Sequence, residues 1–340
     1  MTYEQIGLLA GTVLVAFAAT ACLGRWAIPL LHKLKFGQTI LDIGPSWHKK
    51  KQGTPTMGGL FFIGGMAFAC ILAVVIAETA LGIPIVSGLA AKKQVRLFAG
   101  VGLALGCALI GFADDYIKVV KKRNLGLTDK QKLFLQLLIS AGYTVILYLY
   151  GGDRVWVPFA GDVSLGVWFI PLGMFLIVGM DNATNLTDGV DGLCGSITLV
   201  SALAFAVTCG LLSLAEYGVG AAALIGAMAG YLIYNLHPAK VMMGDTGSLF
   251  IGGALCAIAF GGGHPLLLVP FGLLYILETL SVILQVSYFK LTHGKRLFKM
   301  SPIHHHFELS GWSENKIVTV FSGLELVVSA LTIVLCRPFW

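Results

Sequence analysis

The sequence predicts an all-α integral membrane protein with about ten transmembrane helices. Two observations carry this. Hydrophobic residues make up 57% of the 340 residues against 12% charged, with a mean hydropathy of +0.85. The apolar residues also gather into runs long enough to cross a bilayer. A soluble domain carries roughly 25% charged residues, because it must cover its surface with groups that water solvates. Lipid must therefore be the solvent for much of this surface.

Ten runs approach the ~20 residues that a span requires. They are 5–31, 57–77, 95–113, 132–150, 166–181, 193–213, 217–235, 246–262, 265–289 and 317–336, of which 166–181 is the shortest. Length alone would permit two soluble domains, but the pattern gives a single polytopic membrane domain over 1–340. The first run has no basic stretch before it, is too long for a signal peptide and lacks a small-x-small cleavage site, so it is expected to be retained. The seven cysteines lie mostly inside apolar runs without metal-ligand spacing and read as small core residues.

Lysine and arginine set the expected orientation. Numbered by alternation, the connections 33–56, 114–132, 182–192, 236–245 and 290–316 hold 17 basic residues, and the opposite connections and ends hold 5. The first set is expected to be cytoplasmic and both termini outside. On the outer side, 151–165 alternates roughly around a Gly-Asp turn and suggests a short periplasmic β-hairpin.

Nearly all polar chemistry falls on the basic side, in five segments that read as one composite site. Asp114-Asp115 closes the apolar run 95–113. Adjacent carboxylates repel unless cations neutralise them; the bland alternative is a helix end reaching the interface beside Lys118. Asn185, Asp188 and Asp191 are spaced three apart, which would share a face on a helical turn, and Gly189 and Gly192 would let a ligand approach the backbone. Hard oxygen groups at this density suit Mg²⁺, which uses one or two carboxylates with substrate phosphates. The alternative is an Asx-rich turn capping the next helix. Gly244-Asp245-Thr246-Gly247-Ser248 reads as a helix start that could cradle phosphate, though not as a Walker loop. His304-His305-His306 cannot easily converge on one ion, so phosphate contact beside Lys295, Arg296 and Lys299 is preferred over zinc. Lys49-Lys50-Lys51, taken alone, is a topology signal.

Together these segments resemble the phospho-N-acetylmuramoyl-pentapeptide transferase family. The likeness rests on His48–Gly59 with its Pro55-Thr56-Met57-Gly58-Gly59 run, Phe112–Tyr116 with Lys118, Asn185–Gly189 with Asp191–Leu193, Met243–Leu249, and Ser301–Glu308 with Gly311-Trp312, in the family's order from about residue 25 to 320. The resemblance implies a ten-helix bacterial inner-membrane enzyme, usually a homodimer, with its active site on the cytoplasmic face. It implies transfer of phospho-N-acetylmuramoyl-pentapeptide from UDP-N-acetylmuramoyl-pentapeptide to undecaprenyl phosphate, giving lipid I and UMP, with Mg²⁺ as cofactor and no nucleic-acid partner. It makes Asp245 the magnesium ligand, Asp114 and Asp115 the catalytic acidic pair, and His304, His305 and His306 essential near the active site. It places Lys51, Thr56, Lys132, Asn185, Asp188, Gly189, Asp191, Asn235, Met242, Gly244, Ser248 and Gln285 among substrate-binding positions. This chain departs from the family's pattern in Met242, where many members carry Phe, in Val190 for Leu, and in the start of its last helix.

Two other classes fit less well. A transporter would place polar groups at the bilayer midplane on broken helices, whereas here they cluster at one face. A lipid-binding scaffold would not need five acidic, glycine-rich loops.

Overall fold

The computed structural model describes residues 1–33, 53–120, 125–158 and 160–340. Its helices are α1 (Tyr3–Lys33), α2 (Gly59–Thr79), α3 (Ala91–Val120), α4 (Asp129–Leu149), α5 (Phe169–Thr187), α6 (Leu193–Leu211), α7 (Ala215–Asn235), α8 (Gly244–Gly261), α9 (Leu273–Leu291), α10 (Ile303–Glu308) and α11 (Glu314–Cys336). All but the six-residue α10 are long and apolar enough to span a membrane, which makes ten among the described residues. Large apolar side chains on the outside of α1 (Leu14), α4 (Phe134, Leu138) and α11 (Leu331, Val334) are exposed. A surface of this kind is stable only against lipid.

The bundle is built around α8, buried on nearly every face. It packs against α2, α3 and α5, and α7 is enclosed by α1, α2 and α6. Small residues allow these approaches, as is usual where apolar lipid gives no drive for helix association. The expected hairpin is present. Strand β1 (Arg154–Val157) pairs antiparallel with β2 (Gly161–Ser164), Arg154 opposite Ser164 and Val157 opposite Gly161. The end of the bundle with the α5–α6 and α7–α8 turns is called the polar end here; the hairpin lies at the opposite end.

Two expected boundaries and one expected helical face are corrected. The third span does not stop at residue 113: α3 runs on to Val120, so Asp114 and Asp115 sit inside a helix. The fifth span does not stop at 181, since α5 continues to Thr187. Its polar last turns stay helical because Thr184 and Thr187 return their hydroxyls to the Met180 and Ala183 carbonyls, four residues back, at 3.0 and 2.7 Å. Asn185 is thus on a helix, while Asp188 caps its end and Asp191 lies in the following turn, so the three do not share one helical face.

Candidate active site

The site begins where α3 crosses α8. Gly111 lies against the first turn of α8, so close that a Cβ there would overlap the Asp245 carbonyl. That approach brings the next residues of α3 to the N-terminus of α8. A helix start leaves backbone N–H groups without intrahelical partners, and Met243, which precedes α8, offers no side-chain cap. Asp115 supplies it from the neighbouring helix. Its Oδ1 accepts from Asp245 N–H at 3.1 Å, and its Oδ2 accepts from the Thr246 N–H and hydroxyl at 2.9 and 2.7 Å. An acid at a helix N-terminus is also favoured by the helix dipole. Two N–H donors of the 244–248 turn are therefore engaged by a carboxylate.

Asp114 is held separately. Its Oδ1 accepts from Leu127 N–H at 2.7 Å, and its Oδ2 pairs with Lys118 Nζ at 2.5 Å. Asp245 faces both. Its Oδ2 lies 2.9 Å from Lys132 Nζ and 3.1 Å from Lys118 Nζ, and its Oδ1 accepts from Asn185 Nδ2 at 2.8 Å. The same Asn185 amide reaches Ser248 Oγ at 2.9 Å, and Asn185 Oδ1 accepts from Lys132 at 3.3 Å. Residues from three separate connections, 114–132, 182–192 and 236–245, therefore meet on one carboxylate. Asp114 and Asp115 are buried, whereas the Asp245 and Lys118 side chains keep 17% and 34% of their exposure, so the cluster opens outward at Asp245.

One oxygen from each of Asp114, Asp115 and Asp245 lies within 4.8 Å of the others. Three carboxylates against two ammonium groups leave a net negative charge, and hard oxygen donors match Mg²⁺ better than a soft metal. The donor set fits the expected cofactor, with Asp245 and Asp114 as the oxygens free of backbone capping on at least one side.

A second group adjoins the first. Loop 53–58 runs beside 241–243: Met242 N–H donates to the Pro55 carbonyl at 2.8 Å and Gly58 N–H to the Met242 carbonyl at 2.9 Å. This brings Thr56 to the cluster, where a Cβ on Gly244 would come within 2.7 Å of its hydroxyl. Asn235 accepts from Gly192 N–H at 3.0 Å and donates to the Val241 carbonyl at 2.9 Å, with Met242 Sδ 3.9 Å away. Asp191 turns from Asn185 toward His237 Nδ1 at 3.1 Å and Ala239 N–H at 3.0 Å, while its own N–H donates to Glu314 at 3.0 Å.

The histidines splay. His304 is fully buried with Nδ1 3.1 Å from Glu278, His305 Nδ1 lies 2.6 Å from Glu308, and His306 Nδ1 accepts from Lys299 N–H at 3.1 Å. They do not converge, as their adjacency required. His304 alone faces the expected binding turn, since a Cβ on Gly189 would overlap its Nε2. Gln285 is occupied by the 290s loop, accepting from Leu297 and Phe298 N–H at 3.0 and 2.9 Å. Lys51 lies outside the described residues.

Comparison with known proteins bears on the family. The glycosyl transferase family 4 model matches residues 97–262, and signature 1 of the phospho-N-acetylmuramoyl-pentapeptide-transferase matches 51–63. A phospho-N-acetylmuramoyl-pentapeptide-transferase from Clostridium perfringens (strain SM101 / Type A) is 46% identical, covering 93% of each chain. One from Desulforamulus reducens is 45% identical, covering 100% of this chain and 98% of its own. The chain belongs to the phospho-N-acetylmuramoyl-pentapeptide-transferase family. A Listeria monocytogenes serotype 4b member, 43% identical over 96% of this chain, agrees. Within this family framework, the sequence reading left four groups of this site without a role. Lys118 was noted only as a neighbour of the acidic pair, and its i+4 spacing from Asp114 was the available signal. Thr246 stands in the 243–249 motif without a role of its own, and Glu278 and Glu314 give no signal, because each acts across helices distant in the chain.

Proposed function

We propose that the chain transfers phospho-N-acetylmuramoyl-pentapeptide from UDP-N-acetylmuramoyl-pentapeptide to undecaprenyl phosphate, giving lipid I and UMP, with Mg²⁺ held at Asp245 on the cytoplasmic face of a bacterial inner membrane. The homodimer implied by the resemblance belongs to the same proposal. The observation that carries it is the joining of Asp114, Asp115 and Asp245 within 4.8 Å, with Lys118 and Lys132 on Asp245.

In the proposed step a lipid phosphate oxygen attacks the β-phosphorus. The bond from that phosphorus to the bridging oxygen breaks, and the oxygen leaves with UMP. Such a transfer depends mostly on positioning and charge neutralisation. Bound Mg²⁺ would supply neutralisation of the pyrophosphate. Lys118 and Lys132 stand within reach of the same phosphates, and Asp115 keeps the first turn of α8 in place. A phosphate monoester loses its second proton near a pKa of about 6, so at neutral pH the lipid phosphate needs little help from a base. Asp114 has one oxygen on the Leu127 N–H and the other on Lys118, which supports a positioning role.

The test is UMP release from detergent-solubilised protein given both substrates. Release should require Mg²⁺ and stop with chelator; release that persists without undecaprenyl phosphate or divalent cation would reject the proposal. For the face, in a background with the seven native cysteines replaced, Lys299→Cys should resist an impermeant thiol reagent in intact cells while Asp153→Cys reacts.

A further inference from the structure

The α5–α6 turn, residues 188–192, is irregular backbone pressed into the bundle, with Val190, Asp191 and Gly192 buried. Buried backbone N–H groups need partners. Two successive ones in this turn find them on side chains from other helices. Gly192, whose φ of +79° closes the turn, donates its N–H to Asn235 Oδ1, at the end of α7, at 3.0 Å. The Asp191 N–H donates to Glu314 Oε2 at 3.0 Å, across 123 positions of chain. The other Glu314 oxygen, Oε1, lies 3.4 Å from His237 Nδ1. Glu314 therefore meets both the α5–α6 turn and the α7–α8 connection, the two segments that frame the polar end.

Glu314 stands in the first turn of α11, where the helix dipole favours any acid and where most face water. This one is 9% exposed and reaches across to the turn. Its own helix start is capped by Ser313, which accepts from the Lys316 N–H at 3.3 Å. Its base is firm: the Trp312 N–H donates to the Phe307 carbonyl at 3.1 Å, and the two rings pack with centroids 4.7 Å apart. On the facing side, α5 delivers Asn185 to Asp245, and the turn begins three residues later. The contacts that build the Asp245 cluster come from Asp115, Lys118, Lys132 and Asn185, none of which Glu314 holds. We propose that Glu314 is a positioning residue for the nucleotide substrate: its carboxylate oxygen holds the Asp191 backbone N–H and so sets the 188–192 turn against which that substrate binds. The inference rests on the transferase reading for the identity of the substrate. Its consequence is a loss in nucleotide binding, with the step at phosphorus left largely intact.

The experiment uses the full chain in detergent with Mg²⁺ and reads turnover, equilibrium binding of UMP, and amide exchange of the 188–193 segment without ligand. Glu314→Ala should raise KM for the nucleotide substrate on the order of 10-fold and weaken UMP binding by a similar factor, the loss expected for one buried hydrogen bond. Its kcat, and its KM for the lipid phosphate, should change by less than about 3-fold. Glu314→Gln keeps an acceptor oxygen in the same place and should return both nucleotide values to within about 3-fold of the parent. Glu314→Met matches the length without a comparable acceptor and should behave as Glu314→Ala, which covers an alanine variant that does not fold. Exchange should quicken in Glu314→Ala and Glu314→Met and stay slow in Glu314→Gln. Unchanged UMP binding in Glu314→Ala, an equal loss in kcat and in both KM values, or a Glu314→Gln no better than Glu314→Ala would overturn the proposal. Failure of both Glu314→Ala and Glu314→Met to fold would make Glu314 a residue of the fold alone and overturn it equally. A parent that neither binds UMP nor turns over would count against the transferase reading instead, and the exchange result would still decide whether Glu314 holds the turn.

Discussion

The two ends of α8 are separated by 18 residues, about 27 Å of helix, and are held by different chemistry. At the polar end its N–H groups are capped by Asp115, and Asp245 is gripped by two lysines and Asn185. At the other end the chain leaves through Gly261–Gly263 into an aromatic cluster. There the Trp156 ring lies 5.3 Å from His264 and 6.0 Å from Trp340, and the Trp156 backbone N–H donates to the Gly263 carbonyl at 3.0 Å. Phe260 meets Tyr143 and Phe169 edge-on just inside. Ionic clamps that leave an open side suit a site that must exchange partners with a substrate. Ring packing has no such partner to give up. The comparison implies that activity and stability divide between the two ends of the same helix.

The largest break is at the clamp itself. Asp245→Ala should lower turnover on the order of 10³-fold with little change in unfolding temperature, because the side chain is partly exposed and its lysines can turn to water. Near-normal UMP release by folded Asp245→Ala protein would remove it from the centre of the site.

Gly111→Ala comes next and sharpens the claim that helix approach sets the geometry. The added Cβ must push α3 from the Asp245 carbonyl. Overpacking of this kind costs about 1–3 kcal/mol, and a displacement near 1 Å can cost roughly 10²-fold in rate. Both stability and turnover should drop. Loss of stability with full turnover would mean that Asp115 and Asp245 keep their register without close packing.

Trp156→Ala tests the other end. Trp156 is 5% exposed, and removing a buried Trp costs about 3–5 kcal/mol. The expected outcome is a lower unfolding temperature with turnover per folded molecule unchanged. Should turnover fall in proportion to that at the polar end, the two ends would be coupled along α8 and the division would fail.

Much of this layout could be read from the chain. All ten spans and the hairpin follow from apolar run length and alternation, which depend on local composition. What composition hid were continuations. α5 runs through Asn182–Thr187 because threonine hydroxyls are absorbed by the helix's own carbonyls, and a hydropathy reading counts those groups as loop. Asp114, Asp115, Asn185 and Asp245 could be named from their motifs, but not their division of labour. That Asp115 caps α8 while Asp114 holds Lys118 depends on which side of α3 meets α8, a property of packing between residues some 130 positions apart. Glu278 could not be found at all, since one acid in an apolar run has no neighbour in sequence to explain it.

The smallest expected effect sharpens the comparison by acid. His264 packs against both the Trp156 and the Trp340 rings, with Nδ1 2.7 Å from the Gly262 carbonyl. Burial among these rings pushes its pKa below the ordinary 6.5, more than the Gly262 carbonyl and Asp162 raise it. The sign follows from the two states. The unfolded chain takes up this proton as pH falls through 6.5, whereas the folded chain resists it until a lower pH. The stability linked to His264 is therefore fully present above pH 6.5 and is lost as pH falls below that value toward the folded pKa. The parent should show a larger drop in unfolding temperature between about pH 7.5 and 5.5 than His264→Gln, with equal turnover at the higher pH. Were the two drops the same, the acid response would have to come from carboxylates at the polar end, and the aromatic end would be insensitive to protons. A larger drop in the parent would instead show that the end of α8 without catalytic groups still carries a titrating contact, set by burial rather than by paired charge.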